Sequence, residues 1–198
     1  MKHTEFRKHL EDRGFSDSIR VLHIDWDNEV VYFPLWSPLT LVGYQRYEWK
    51  KAKKHGNEGR YFTWISKSYS PLALWGLDRL SSLDECASEE SQRVLVTEGI
   101  WDAIRCIQAG YNAVAILTAT PNAQFVQWFK MVMQGRNAIA ILDNDENGAG
   151  RGLAKLCVSS IMCERHKDIG EHSPDGAKQW LKDAINHCYG TEETIWES

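Results

Sequence analysis

The sequence predicts an α/β fold: a Rossmann-like parallel sheet with flanking helices, joined to a smaller N-terminal strand-rich α+β lobe. Three observations point there. After residue 90, short apolar runs alternate with stretches of helical spacing, the rhythm of βαβ units. Before residue 80, apolar runs are punctuated by Pro34 and Pro38 and read as short strands. Between the two lies Ser81 to Ser91, polar, acidic and serine-rich, which reads as a seam. The expected division is therefore 1–85 for the N-terminal lobe and 86–198 for the α/β domain.

The elements follow in order. Val30-Val31-Tyr32-Phe33 forms one strand and Leu41-Val42-Gly43 begins another. Val94-Leu95-Val96 opens the α/β part, Trp101 to Ala109 has helical spacing and stops at Gly110, and Ala113 to Leu117 is a second buried strand. A helix from about Asn122 to Gln134 leads to the third strand, Ala138 to Leu142. Ala149 to about Cys157 again suits a helix, and Ala177 to Tyr189 is the last.

At 198 residues the chain is long enough to bury a core without disulfide or metal staples. Its hydrophobic and charged fractions, 43% and 25%, are those of a soluble globular protein, and no apolar run nears the roughly 18 residues of a membrane span. The first ten residues mix both signs of charge and lack the apolar core of a secretory signal, which implies a cytoplasmic address. Five cysteines, Cys86, Cys106, Cys157, Cys163 and Cys188, are odd in number and form no Cys-x-x-Cys pair. A disulfide framework and a zinc ribbon are both disfavoured, so no zinc is expected. The seven histidines are scattered without ligand spacing.

A net charge of −4 argues against a nucleic-acid partner until the charges are placed along the chain. Between Gly43 and Lys67 lie Arg46, Lys50, Lys51, Lys53, Lys54 and Arg60 against only Glu48 and Glu58, with six aromatic residues interleaved. A solvated face is one explanation. The interleaved rings favour single-stranded nucleic acid, whose bases stack on such side chains.

In an open parallel sheet, ligands gather beyond the carboxyl ends of the strands. The residues found there are acidic: Thr97-Glu98-Gly99 after the first strand of the α/β part, and Asp143-Asn144-Asp145-Glu146 after the third. Carboxylates brought together this way repel one another unless a hard cation neutralises them, and Mg²⁺ suits one or two carboxylates plus water and phosphate oxygens. Asp102, one turn beyond Glu98, and Asp168, in the pair Lys167-Asp168, are candidates for outer ligands. The competing explanations are an Asx turn or helix N-cap for Asp143 and Asp145, and a first-turn aspartate favoured by the helix dipole for Asp102.

The order Thr97-Glu98-Gly99-Ile100-Trp101-Asp102, then Leu142-Asp143-Asn144-Asp145-Glu146-Asn147-Gly148, then Lys167-Asp168 resembles the toprim domain shared by bacterial-type primases, topoisomerases and several nucleases. Further segments are similar to the catalytic core of bacterial and phage-type DNA primases: Leu10 to Ser16, Tyr32 to Leu35, Val42 to Arg46, Gly59 to Phe62 and Trp75 to Asp78. The resemblance implies that Glu98, Asp143 and Asp145 are catalytic carboxylates and metal ligands, supported by Asp102 and Asp168. It implies Mg²⁺ as cofactor, with Mn²⁺ as a substitute, and places Arg46 and Arg60 toward template or nucleotide. Lys50, Lys51, Lys53 and Lys54 would add electrostatic attraction.

The implied partners are a single-stranded DNA template, with RNA as the alternative, and nucleoside triphosphates. A replicative primase has a zinc-binding module before this core and a helicase-binding region after it. These 198 residues hold neither, so a separately encoded helicase or zinc-binding module is expected, as for minimal toprim chains of phages and mobile elements. The setting would be the cytoplasm of a bacterial cell or phage-infected host. Two functional classes follow: a Mg²⁺-dependent primase-like nucleotidyltransferase in replication, with a toprim nuclease as a close variant, or a non-catalytic single-strand-binding or adaptor protein.

Overall fold

The computed structural model describes residues 3–52, 58–80, 92–118, 120–144, 150–163 and 166–189. The chain opens with α1 (Thr4–Asp12), whose Phe6 and Leu10 stand one turn apart and are buried. Four strands follow, β1 (His23–Asp25), β2 (Val30–Ser37), β3 (Thr40–Glu48) and β4 (Tyr61–Ile65), forming an antiparallel sheet in the order β1-β2-β3-β4. The N-terminal lobe is thus strand-rich α+β, as expected, though the sequence did not place its helix. α1 carries only two apolar anchors on a polar helix, too thin a stripe to separate from loop sequence.

After the short α2 (Leu77–Leu80) come β5 (Arg93–Thr97), α3 (Ile100–Gln108), β6 (Asn112–Ala115), α4 (Ala123–Val132), β7 (Asn137–Leu142), α5 (Arg151–Ala154), β8 (Ser159–Met162) and α6 (Pro174–Tyr189). The four strands pair in parallel in the order β6-β5-β7-β8. The expected helix to Cys157 stops at Ala154, and the chain turns into β8. That strand escapes the eye because it is an edge: of Ser159-Ser160-Ile161-Met162 only Ile161 is buried.

Alternation along the parallel strands sorts their side chains onto two cores. Leu95, Ala113, Ala115, Ile139 and Ile141 face α3, α6 and the N-terminal lobe, joining Phe6, Phe33 and Tyr47. Val94, Val96, Val114, Ala140 and Leu142 face α4, where Phe125, Trp128 and Phe129 cover them. The expected seam and the boundary at residue 85 lie outside the described residues. Among the described residues no helix is long and apolar enough to cross a membrane. Cys106, Cys157, Cys163 and Cys188 are free thiols.

Candidate metal centre and nucleic-acid interface

β5 lies between β6 and β7, so the connection from β5 runs to one side and the next strand pairs on the other. The strand order therefore reverses at β5, and a crevice opens beyond its carboxyl end. Glu98 emerges there from β5 and Asp143 from the adjoining β7. The turn from β5 into α3 is closed by the Thr97 hydroxyl, which donates to the Gly99 carbonyl at 2.8 Å. It starts α3 at Ile100 and sets Asp102 in the first turn.

On the neighbouring strand exit, the Leu117 amide donates to the Glu98 carbonyl at 3.0 Å. Leu117 itself has φ of 60°. A bulky residue in the left-handed region costs on the order of 1–3 kcal/mol and persists only where its surroundings hold it, commonly at functional rims.

Asp168 arrives from the other side. The Asn144 amide donates to the Lys167 carbonyl at 2.7 Å, tying the exit of β7 to the loop that carries Asp168. Asp168 Oδ1 accepts from the Glu171 amide at 3.1 Å and so caps the 3-10 turn Ile169–Glu171, while Glu171 Oε2 accepts from the Lys167 amide at 2.9 Å. Gly170 in that turn is closely confined: an added Cβ would stand 3.0 Å from Asp102 Oδ1 and 3.1 Å from Asp168 Oδ1. At Gly99 a Cβ would stand 2.8 Å from Asp102 Oδ2. Both carboxylates are thus approached by bare backbone, and the Gly170 amide donates to Asp102.

Glu98, Asp102, Asp143 and Asp168 line one cleft of about 300 Å³, together with Arg13, Gln45, Tyr61, Thr118 and Lys167. Burial first, and then repulsion from Asp168 and Asp143, pushes the Asp102 carboxyl up to about 7, against the pull of Arg13 and the Gly170 amide. Tyr61 is pushed up to about 12, mainly by burial, so its phenol stays protonated. With every group ionised, four carboxylates against two cations leave an excess of two negative charges in the cleft.

The donors are oxygen atoms alone, and no three His, Cys, Asp or Glu among the described residues stand close enough to enclose an ion. Such an open, all-oxygen set fits Mg²⁺, which keeps several waters and substrate phosphates in its shell, and does not suit zinc. Asp145 lies outside the described residues, as do Lys53 and Lys54.

Arg13, Gln45 and Tyr61 had no assigned role in the sequence, although each lies in a segment that resembles primase cores, Leu10 to Ser16, Val42 to Arg46 and Gly59 to Phe62. Arg13 reaches the cleft from the end of α1, its guanidinium 4.7 Å from the Trp101 ring centroid and 5.8 Å from that of Tyr47. The end of α1 is pinned by buried Arg105, which donates to the Asp12 carbonyl at 3.0 Å and to Gln108 Oε1 at 2.8 Å. Gly14, at φ 91°, completes this closure, since a Cβ there would overlap the Gln108 amide.

The basic strand residues divide differently. β3 and β4 pair Arg46 with Phe62 and Tyr47 with Tyr61, and successive side chains point to opposite faces. Gln45, Tyr47 and Tyr61 face the cleft side, whereas Arg46 lies on the outer face with Tyr44, Phe62 and Trp64. There Arg46 sits 5.2 Å from the Phe62 ring centroid, Tyr44 stacks on Trp64 at 5.8 Å, and Tyr32 meets Tyr44 edge-on at 5.6 Å. Trp64 is 49% exposed. Arg46 and Lys51 both pair with Glu48, at 2.7 and 2.9 Å, and Lys50 pairs with Glu29. Arg60 donates to the Lys51 carbonyl at 2.7 Å, and its charge reaches His9 and Tyr47 on the cleft side.

No family model matches the sequence, and no curated protein matches it. Solved structures do. The chain is similar to the DnaG catalytic core, at 17% identity and a TM-score of 0.62, over 93% of this chain and 73% of that one. It is similar to the RNA polymerase domain of Mycobacterium tuberculosis primase DnaG in complex with a double-stranded DNA oligomer with a 6-nucleotide overhang. That match has 18% identity, a TM-score of 0.56, and covers 90% of this chain and 59% of that one. The primase fragment of the bacteriophage T7 primase-helicase protein matches at 13% identity and a TM-score of 0.54, over 90% and 70%. The fold is that of primase catalytic cores: a parallel α/β sheet beside an antiparallel sheet.

Proposed function

We propose that this chain is a primase-like nucleotidyltransferase core that acts on single-stranded nucleic acid through a Mg²⁺-dependent site in its carboxylate cleft. The observation that carries the reading is the convergence of Glu98, Asp102, Asp143 and Asp168 at the crevice where the strand order reverses, in a primase-core fold. Residues 1–85 would serve as the nucleic-acid-facing lobe and 86–198 as the toprim domain.

Glu98, Asp143 and Asp145 would hold Mg²⁺, with Asp102 and Asp168 in support; the ion would supply positive charge that neutralises a triphosphate and eases loss of the attacking hydroxyl's proton. The protein's own part is placement. Arg13 and Lys167 are cations on the wall of the cleft, suited to phosphate oxygens. Gln45 is oriented by its donation to Thr63 Oγ1 at 3.0 Å, and protonated Tyr61 offers a neutral hydrogen-bond donor. The template would come from outside. A DNA duplex with an overhang bound to one similar fold and the exposed Trp64 ring here, stacked on half-buried Tyr44, support a single strand as partner, because bases stack on such rings.

Incubation with a single-stranded template, Mg²⁺ and labelled nucleoside triphosphates tests this reading. New template-dependent oligonucleotides, lost on Glu98→Gln, are expected. Shortened template instead would make the cleft a nuclease site. Strand binding unaccompanied by any Glu98-dependent chemistry would make the chain an adaptor.

A further inference from the structure

At the opposite end of the parallel sheet, where β5 and β6 begin, a second cavity of about 570 Å³ opens between these strands, the end of α3 and α6. Arg93, Lys178 and Lys182 line it with Tyr111, Asn112 and Asn186, and no carboxylate does. Lys178 and Lys182 are four residues apart on α6, so they share one face and repel each other. Arg93 is steered by the Tyr189 ring, 4.9 Å from its guanidinium.

The contrast with the N-terminal lobe is informative. There Arg46, Lys50 and Lys51 are each matched by a glutamate, whereas among the described residues none of Arg93, Lys178 and Lys182 forms an ion pair. The carbonyl end of α3 faces the same cavity but is largely occupied by its own closure. The amides of Ala109, Gly110 and Tyr111 donate to the carbonyls of Arg105, Ile107 and Cys106. A helix end carries only about half a negative charge in any case, well short of three cations.

Three clustered positive charges facing a cavity of this size, with amide and phenol groups beside them, form a site for an anion carrying several negative oxygens. We propose that this cavity binds phosphate groups, either those of a free polyphosphate or those of a nucleic-acid strand, at a site separate from the carboxylate cleft. The inference is independent of the polymerase reading, since it uses no residue of that cleft.

The test is binding without divalent metal, in EDTA, to keep the carboxylate cleft from contributing. Tripolyphosphate is titrated by calorimetry and a labelled oligothymidylate by anisotropy, against the full chain and its Lys178→Glu/Lys182→Glu and Lys178→Gln/Lys182→Gln variants. Both lysines are exposed, and an unchanged melting temperature checks the fold. Weakening by about tenfold or more in the charge-reversed variant, with a smaller loss for the glutamine variant and a shallower salt dependence, is expected. A loss confined to tripolyphosphate assigns the site to a free polyphosphate; a loss confined to the oligonucleotide assigns it to a strand. Equal affinity of all three proteins for both probes, or no binding by the wild type, overturns the proposal.

Discussion

Asp102 concentrates the electrostatics of the cleft, because it is buried, faces two other carboxylates, and is approached by the Gly170 and Gly99 backbone with no side chain between. A bound divalent cation would relieve that repulsion, and a ligand that binds only the folded state raises stability by mass action. Mg²⁺ should therefore raise the melting temperature of the wild type by several degrees, and Asp102→Asn paired with Asp143→Asn should abolish that rise; thermal denaturation with and without EDTA reads it directly. His9 gives a pH prediction. Its pKa is lowered from 6.5 mainly by burial, with Arg13 and Arg60 adding to the effect, and its Nε2 lies 2.7 Å from Tyr47 Oη. A depressed folded value means the unfolded state binds the proton first, so this contribution is complete above about 6.5 and is lost as pH falls through the lower folded value. A melting-temperature profile from pH 8 to 5 should fall less steeply for His9→Gln than for the wild type. The placing of Glu98 and Asp143 at the cleft was legible in the sequence because each stands within two residues of the end of an apolar strand run. Arg13 was not, because its access to the cleft depends on how Arg105 and Gly14 dock the end of α1 against α3.

The antiparallel sheet shows how a strand separates what the sequence interleaves. The run from Gly43 to Lys67 reads as one basic aromatic patch, but alternation sends Gln45, Tyr47 and Tyr61 toward the cleft and Tyr44, Arg46, Phe62 and Trp64 to the outer face. Arg46 is then matched to Glu48, two residues along the same strand, and to Phe62 across from it, a distribution that composition does not contain. If the outer rings stack on template bases, Trp64→Ala should weaken oligonucleotide binding by about 1–3 kcal/mol. Its melting temperature should change little, because the ring is half exposed. Anisotropy titration against the wild type decides it. Gly43 holds this sheet together in a different way. A Cβ there would collide with the Trp64 carbonyl oxygen and stand 2.9 Å from Ile65 Cα, so Gly43→Ala should force β4 away. A cost of about 2–4 kcal/mol, read by chemical denaturation, is expected from such overpacking against backbone. The elements that the sequence concealed, α1, β1, β4, α2 and β8, bury two residues or fewer each; β5, β6 and β7 are apolar almost throughout and were plain.

Across the whole molecule the two sheets are joined by a common core. Trp101, from α3, is 3% exposed and meets Phe33 at 5.4 Å and Tyr47 at 5.0 Å, rings contributed by the antiparallel sheet. The same indole supports Arg13 from the cleft side. Joining of the sheets and shaping of the cleft therefore rest on shared side chains, and Trp101→Ala should cost about 3–5 kcal/mol while impairing the cleft, measured by denaturation together with Mg²⁺-induced stabilisation. Long-range docking of this kind cannot be read from periodicity, which reports only the face an element buries and not what covers it. The parallel sheet and its acidic rim were foreseeable; the entry of α1 and β3 into that rim was not.

We propose that the carboxylates at the β5 and β7 exits share a divalent cation. A crystal soaked with Mn²⁺ and measured at the manganese absorption edge tests it most directly. An anomalous peak in the cleft within coordinating distance of Glu98 and Asp143 is predicted, and its loss in Asp143→Asn crystals. Manganese bound only elsewhere on the molecule, or a peak in the cleft untouched by that substitution, would contradict it.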